Sequence, residues 1–153
     1  MTPRRRRGRG PGGERGSAIV EFTFLGLLFI VPLLWLMLAV FEVQSASYAL
    51  TAAVREAGRA FVLAENQSAG MAAARDAARF AVEDHGIALG EVQGFGTPDC
   101  GPSGCLQSGS YAEFEMHYDV PLPFFPRVFG NDIASFEVRA RHSTPYGDYR
   151  ESR

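Results

Sequence analysis

The sequence predicts an α+β protein, with a long N-terminal transmembrane helix that continues into an amphipathic helix, a second helix and a small antiparallel β-sheet. Three observations lead to this prediction. No charged residue occurs over residues 22–41. Apolar residues then recur at helical spacing through residues 43–89. Near the C-terminus, two stretches alternate between apolar and polar side chains, as strands of a half-buried sheet do.

The N-terminal block, residues 1–16, reads "MTPRRRRGRGPGGERG" and contains Arg4, Arg5, Arg6, Arg7, Arg9 and Arg15. It has no apolar side chain beyond Met1, so burial cannot offset the entropy lost on ordering, and we expect a disordered leader. A basic tract can bind nucleic acid. Here it directly precedes an apolar segment, which favours a role as a signal for membrane orientation.

Residues 17–42 are predicted to span a membrane. The uncharged part, residues 22–41, forms a helix about 30 Å long, which matches the hydrocarbon core of a bilayer. It contains fourteen Leu, Ile, Val and Phe residues. Their insertion is worth about −6 kcal/mol, whereas a carboxylate such as that of Glu21 costs at most about 3 kcal/mol. A cleaved secretory signal is the alternative, but its apolar region is usually shorter.

The arginines before this segment and Glu42 after it predict the topology. Positive residues favour the cytoplasmic side, so the N-terminus is expected in the cytoplasm and residues 43–153 outside the cell membrane. At 153 residues in all, this leaves room for one modest extracytoplasmic domain.

Two helices are predicted in this domain. The first continues from the membrane segment to about Leu63, with apolar and small residues at three- and four-residue spacing. Residues 66–68, Asn-Gln-Ser, have the form of a glycosylation sequon, but a turn followed by a helix cap is favoured. The second helix is expected over about residues 69–89. His85 and Gly86 lie where this helix is expected to end.

The chain has two cysteines, Cys100 and Cys105, separated by Gly and Pro. Outside the membrane, a disulfide that closes a tight loop is favoured over a metal site, which would need further ligands. His85, His117 and His142 show no ligand spacing to one another. We therefore predict a disulfide and no metal.

Two strands are predicted after the cysteines. Residues 112–120 alternate strictly, and a second alternating stretch runs from Ala134 to Arg141. The Pro-rich segment "PLPFFPRVFGND" between them is expected to be a connection, because Pro is excluded from central strands. The residues expected to face the core are Ala112, Phe114, Met116, Tyr118, Val120, Ala134, Phe136, Val138 and Ala140.

The arrangement of Gly16, Ser17 and Glu21 before an apolar helix resembles the processing site of type IV prepilins. The stretches "GSAIVEFTFLGLLFIVPLL" and "AVREAGRAFVLA" further resemble the TadE-like pseudopilins of tight-adherence (Flp) pilus systems. The resemblance implies a pilin-like fold. It also implies that a prepilin peptidase cuts between Gly16 and Ser17, and that Glu21 acts in assembly.

As a TadE-like protein, the chain would be a minor pseudopilin that serves cell adhesion or secretion. The implied partners are the prepilin peptidase, the major pilin, other pseudopilins and the inner-membrane platform of the pilus. Glu21 would neutralise the amine that cleavage frees on a neighbouring chain. Glu21 could instead be an interfacial residue that interacts with the helix dipole.

No nucleophile with a base, phosphate-binding Gly loop or metal cluster is recognisable. The sequence therefore predicts neither an enzyme nor a cofactor. A competing hypothesis is a single-pass envelope protein whose external domain binds a partner and which takes no part in a pilus.

Overall fold

The computed structural model describes residues 15–102, 104–122 and 135–147. The elements in chain order are helix α1 (Arg15–Leu63), helix α2 (Gln67–Glu83), a 3₁₀ turn (Leu89–Glu91), strand β1 (Tyr111–Pro121) and strand β2 (Ser135–Pro145). Helices followed by an antiparallel pair of strands make an α+β fold, as the sequence predicts. The chain divides into two compact units, Met1–Met37 and Leu38–Arg153.

The first unit contains the N-terminal part of α1. The helix begins at Arg15, so Gly16 and Ser17 have helical backbone. Pro32 lies inside the helix, where it removes one backbone hydrogen bond. Of the predicted leader, residues 1–14 lie outside the described residues.

The core of the second unit is built on one face of α1. This face consists mainly of alanines, and small side chains allow other elements to approach the helix closely. Its members, each at most 2% exposed, are Ala46, Ala49, Leu50, Ala53, Val54, Ala57 and Phe61. Helix α2 contributes a second buried face, which consists of Gly70, Ala74, Ala78 and Val82 at four-residue spacing. The two helices therefore bury the faces that their periodicity predicts.

Asn66, the first residue of the turn predicted at residues 66–68, caps α2. Its side-chain oxygen accepts a hydrogen bond from the backbone N–H of Ala69 at 2.9 Å. The helix ends at Glu83, close to the cap region predicted at His85 and Gly86, and the predicted extent to Leu89 is wrong. Gly86 takes a left-handed conformation with φ 76°, and only Gly does so without steric cost. The helix therefore stops before this glycine, and a separate 3₁₀ turn follows.

Strands β1 and β2 pair antiparallel, in a register from Tyr111 opposite Pro145 to Pro121 opposite Ser135. Phe114 of β1 lies in the core, with its ring centroid 5.7 Å from that of Phe61 and 5.8 Å from that of Phe95. The buried side chains of β1 are Ala112, Phe114, Met116 and Val120. The sheet thus packs its predicted apolar face on the helices.

Strand β2 departs from the prediction at Phe136. Val138 is buried, but Phe136 is 55% exposed although it was expected to face the core. Phe136 pairs with Val120 one position from the end of the ladder, where the described residues leave most of its ring uncovered. The expected inward position of Ala134 and most of the Pro-rich connection lie outside the described residues.

The sheet approaches α1 closely at Gly58. A Cβ atom at this position would overlap with the Thr144 hydroxyl oxygen. We expect Gly58→Ala to lower the free energy of unfolding by about 1–3 kcal/mol, as overpacking does. Gly90→Ala is the control, because no atom lies within 4 Å of a Cβ added there. Chemical denaturation of the detergent-solubilised protein measures both.

The contact between Gly58 and Thr144 can also be tested by replacing Thr144. The Thr144 hydroxyl oxygen is buried and has no hydrogen-bond partner among the described residues. Thr144→Ala should recover part of the stability lost in Gly58→Ala, because it removes the overlapping atom. Equal stability of wild type and Gly58→Ala would contradict this packing.

Candidate functional site

The N-terminal part of α1 exposes apolar side chains on all of its sides. Between Ile19 and Phe41 the large apolar residues expose 44–79% of their surface, apart from the half-buried Trp35. A core helix of a soluble protein would bury most of them. Among the described residues, one helix is long and apolar enough to cross a membrane, and this is that helix.

Glu21 is the acidic residue that interrupts the start of this apolar surface, and its side chain is exposed. It lies four residues after Ser17, so the two positions share one face of the helix about 6 Å apart along the axis. The described side chains of this helix begin at Ala18, and among them no cation forms an ion pair with Glu21. The carboxylate is therefore open to a partner from another molecule.

The Gly16–Ser17 peptide bond lies in the first turn of α1. Backbone N–H groups of a first helical turn have no acceptor within the helix, so this turn unwinds more easily than the interior. Gly16 weakens the turn further, because Gly costs about 1 kcal/mol in a helix relative to Ala. The helix end can thus present an extended peptide bond to a protease.

The second unit carries a loop closed by a disulfide between Cys100 and Cys105. The residue before it, Asp99, forms paired backbone hydrogen bonds of 3.0 and 2.8 Å with Glu113 of β1. Its side chain also accepts a hydrogen bond from the Gly101 N–H at 2.9 Å. The disulfide therefore holds a loop that lies along the edge of the sheet.

The outer face of the sheet is charged. Arg139 donates a hydrogen bond to Glu137 and thereby lowers the pKa of that carboxyl. Arg141 lies 3.6 Å from Glu113 on the neighbouring strand. Because these pairs are exposed to solvent, they contribute little to stability.

The three histidines lie in separate places. His85 faces Ser45, the ring of His117 lies beside Gly94, and His142 pairs with Phe114 in the sheet. Within the described ranges, no group of three or more His, Cys, Asp or Glu residues could hold a metal ion.

The structure also brings together residues that sequence reasoning missed. Tyr118 is partly buried, and burial raises the pKa of its hydroxyl. The negative charges of Glu91 and Glu42 raise the same pKa further. Gly86 was the sequence signal for a helix end here, but periodicity contains no information on which element the following turn approaches.

No family model, curated protein or solved structure matches this chain. Its function is therefore inferred from its own residues.

The disulfide gives a direct test of the compartment in which this unit folds. We expect thiol alkylation of unreduced, denatured protein from its native source to label neither Cys100 nor Cys105, and to label both after reduction. Cys105→Ser should lower the free energy of unfolding by about 2 kcal/mol, because the closed loop is short. Gln107→Ala, an exposed change two residues after the closed loop, should leave stability unchanged. Two thiols that react without reduction would exclude an oxidising compartment.

Proposed function

We propose that this chain is a minor pseudopilin of a tight-adherence (Flp-type) pilus or a related secretion assembly. One observation carries the proposal. An exposed carboxylate, Glu21, lies one turn after the Gly16–Ser17 bond at the start of an otherwise apolar helix. In this proposal α1 is a single-pass anchor with its N-terminus in the cytoplasm, and the second unit is extracytoplasmic.

The energetics of α1 support a functional role for Glu21. The apolar residues that follow contribute about −6 kcal/mol to insertion, so the helix tolerates a carboxylate but gains nothing from it. A charge near lipid is generally paired with another charge. Cleavage after Gly16 would create an ammonium group at Ser17, which is a partner of the right sign at the right depth.

The pairing extends to a neighbouring chain. Copies of a processed helix that lie side by side in one membrane have their amines and carboxylates at nearly the same level. The Glu21 carboxylate of one chain can then neutralise the amine of the next, and the apolar side chains between Ile19 and Phe41 can pack on other helices. The major pilin and other pseudopilins are the partners that present such helices, the prepilin peptidase acts on the leader, and the inner-membrane platform receives the inserted chain.

The second unit supports an extracytoplasmic location. Its disulfide persists in an oxidising compartment, whereas cytosolic thiols are kept reduced. The arginines of the leader favour the opposite, cytoplasmic side. Both features therefore agree with one orientation of the chain.

Replacing Glu21 tests the proposed assembly. In cells that build the assembly, we expect Glu21→Ala to be inserted and cleaved as the wild type is, but its recovery with affinity-tagged major pilin to fall. The loss of one charge pair worth about 1.4 kcal/mol already reduces binding roughly tenfold. Immunoblots of the membrane and pilus fractions measure both quantities.

The controls separate charge from packing. Glu42→Ala removes an exposed acid at the other end of the uncharged segment and should assemble normally. Glu21→Gln should fail as Glu21→Ala does, and Glu21→Asp should recover part of the assembly. Normal recovery of both Glu21→Ala and Glu21→Gln would make Glu21 an interfacial residue and would favour the single-pass envelope protein outside any pilus.

A further inference from the structure

The buried face of α1 already begins within the uncharged segment. Ala39 is 7% exposed, whereas its neighbours Leu38 and Val40 are 53% and 44% exposed. One turn later, Val43 packs against the hydrophobic core. The core of the domain therefore covers this face of α1 from Val43 onward, two residues after the uncharged segment ends.

Helix α2 returns the chain to this level of α1. At its C-terminal end, His85 Nδ1 lies 3.3 Å from the hydroxyl oxygen of Ser45. Ser45 is four residues beyond Phe41, where the uncharged segment ends, which is about 6 Å along the helix. The end of α2 is therefore close to the place where α1 would leave the hydrocarbon.

The next six residues, 86–91, form what we call the return turn. It starts at the left-handed Gly86, and Ile87 is buried in the core, where its N–H donates to the Val82 carbonyl at 3.1 Å. Ala88 and Gly90 point away from the core and are exposed. The turn is thus fixed to the domain on one side and open on the other.

The charges of two carboxylates agree with this position of the return turn. Glu91 ends the turn, and Glu42 is the first charged residue after the uncharged segment. Both act on the Tyr118 hydroxyl and raise its pKa. The contact of His85 with Ser45 puts the start of the return turn beside the part of α1 that follows residues 22–41.

The dimensions of a bilayer determine what surrounds such a turn. The hydrocarbon core is about 30 Å thick and the bilayer with headgroups about 40–45 Å, so the headgroup layer extends about 5–8 Å on each side. Ser45, about 6 Å beyond Phe41 along α1, therefore lies within the headgroup layer when the uncharged segment spans the hydrocarbon core. We propose that the return turn contacts the lipid headgroups, and that the extracytoplasmic domain rests on the bilayer through it.

This inference rests on the proposed membrane anchor. Three of the exposed positions of the turn, Gly86, Ala88 and Gly90, have little or no side chain, which allows the backbone to lie against headgroups, and the fourth, Glu91, presents a carboxylate at its end. The turn follows the contact of His85 with Ser45, four residues after the uncharged segment ends. If α1 is inserted in a membrane, lipid headgroups necessarily surround α1 near Ser45, beside the return turn.

Fluorescence quenching in vesicles tests the proposal with the full chain. Trp35 is the sole tryptophan, so the wild type reports on the membrane segment. The double variants Trp35→Phe/Ala88→Trp and Trp35→Phe/Gln107→Trp report on the return turn and on the disulfide loop. Gln107 is exposed and lies near the end of the sheet that contacts Gly58. Gly58 is about 25 Å beyond Phe41 along α1. Each protein is reconstituted into phosphatidylcholine vesicles with and without acyl chains brominated near the headgroup.

We expect the brominated lipid to quench wild-type Trp35 strongly, the indole at position 88 to an intermediate degree, and the indole at position 107 hardly at all. Because position 88 is proposed to lie in the headgroup layer and position 107 beyond it, we expect the extent of quenching at position 88 to be at least roughly three times that at position 107. If wild-type Trp35 is quenched while positions 88 and 107 are both quenched weakly and equally, this inference is overturned but the proposed membrane anchor is not. An unquenched wild type would overturn both.

A second variant guards against misfolding at position 88. No atom lies within 4 Å of a Cβ added at Gly90, so Trp35→Phe/Gly90→Trp should fold and give the same intermediate quenching. The thermal unfolding curve of each variant, compared with that of Trp35→Phe alone, shows which of them retain the fold. A folded Gly90→Trp variant that the brominated lipid does not quench would overturn the proposal.

Discussion

The removal of the apolar surface of residues 22–41 from water is the constraint on which the rest of the account depends. Fourteen Leu, Ile, Val and Phe residues occupy this segment, and the described part of the chain leaves nearly all of them uncovered. Lipid or other apolar helices must therefore cover them. The same constraint makes the carboxylate of Glu21 significant, because it directly precedes this segment and lipid does not favour a charge. In the proposed anchor, Glu42 marks the other end of the segment as its first charged residue.

After Glu42, α1 no longer needs a long apolar surface on all sides. It needs a single face of small side chains on which other elements can pack closely. The alanine face of α1 gives little hydrophobic area per residue, but it lets α2 and the sheet come close enough to enclose Phe61 and Phe114. Gly58 and Thr144 show how tight this approach is, since even a methyl group has no room between them. One helix thus serves two environments, with bulky apolar side chains on all sides in the first part and a single small-residue face in the second.

The sequence predicts the helices and strands well, because each buries one face and so leaves a periodic pattern. It also indicates a turn at residues 66–68 and a helix end near Gly86, although the predicted extent of α2 to Leu89 was too long. The exposure of Phe136 was missed, since it depends on what covers the end of a sheet. The effect of the Glu91 and Glu42 charges on the pKa of Tyr118 leaves no periodic pattern in the sequence from which it could be predicted. In the candidate site, Glu21 was recognisable as the exception in an apolar segment, and the two cysteines left a single possible intramolecular pairing.

The central claim is that Glu21 and the Gly16–Ser17 bond together form a prepilin-type site. The N-terminal residue of the protein, purified from its own cells with an active prepilin peptidase and determined by sequencing and intact mass, tests it most directly. The account predicts Ser17 as the first residue, with the arginine-rich leader absent. A chain that begins at Met1 or Thr2 in those cells would contradict it.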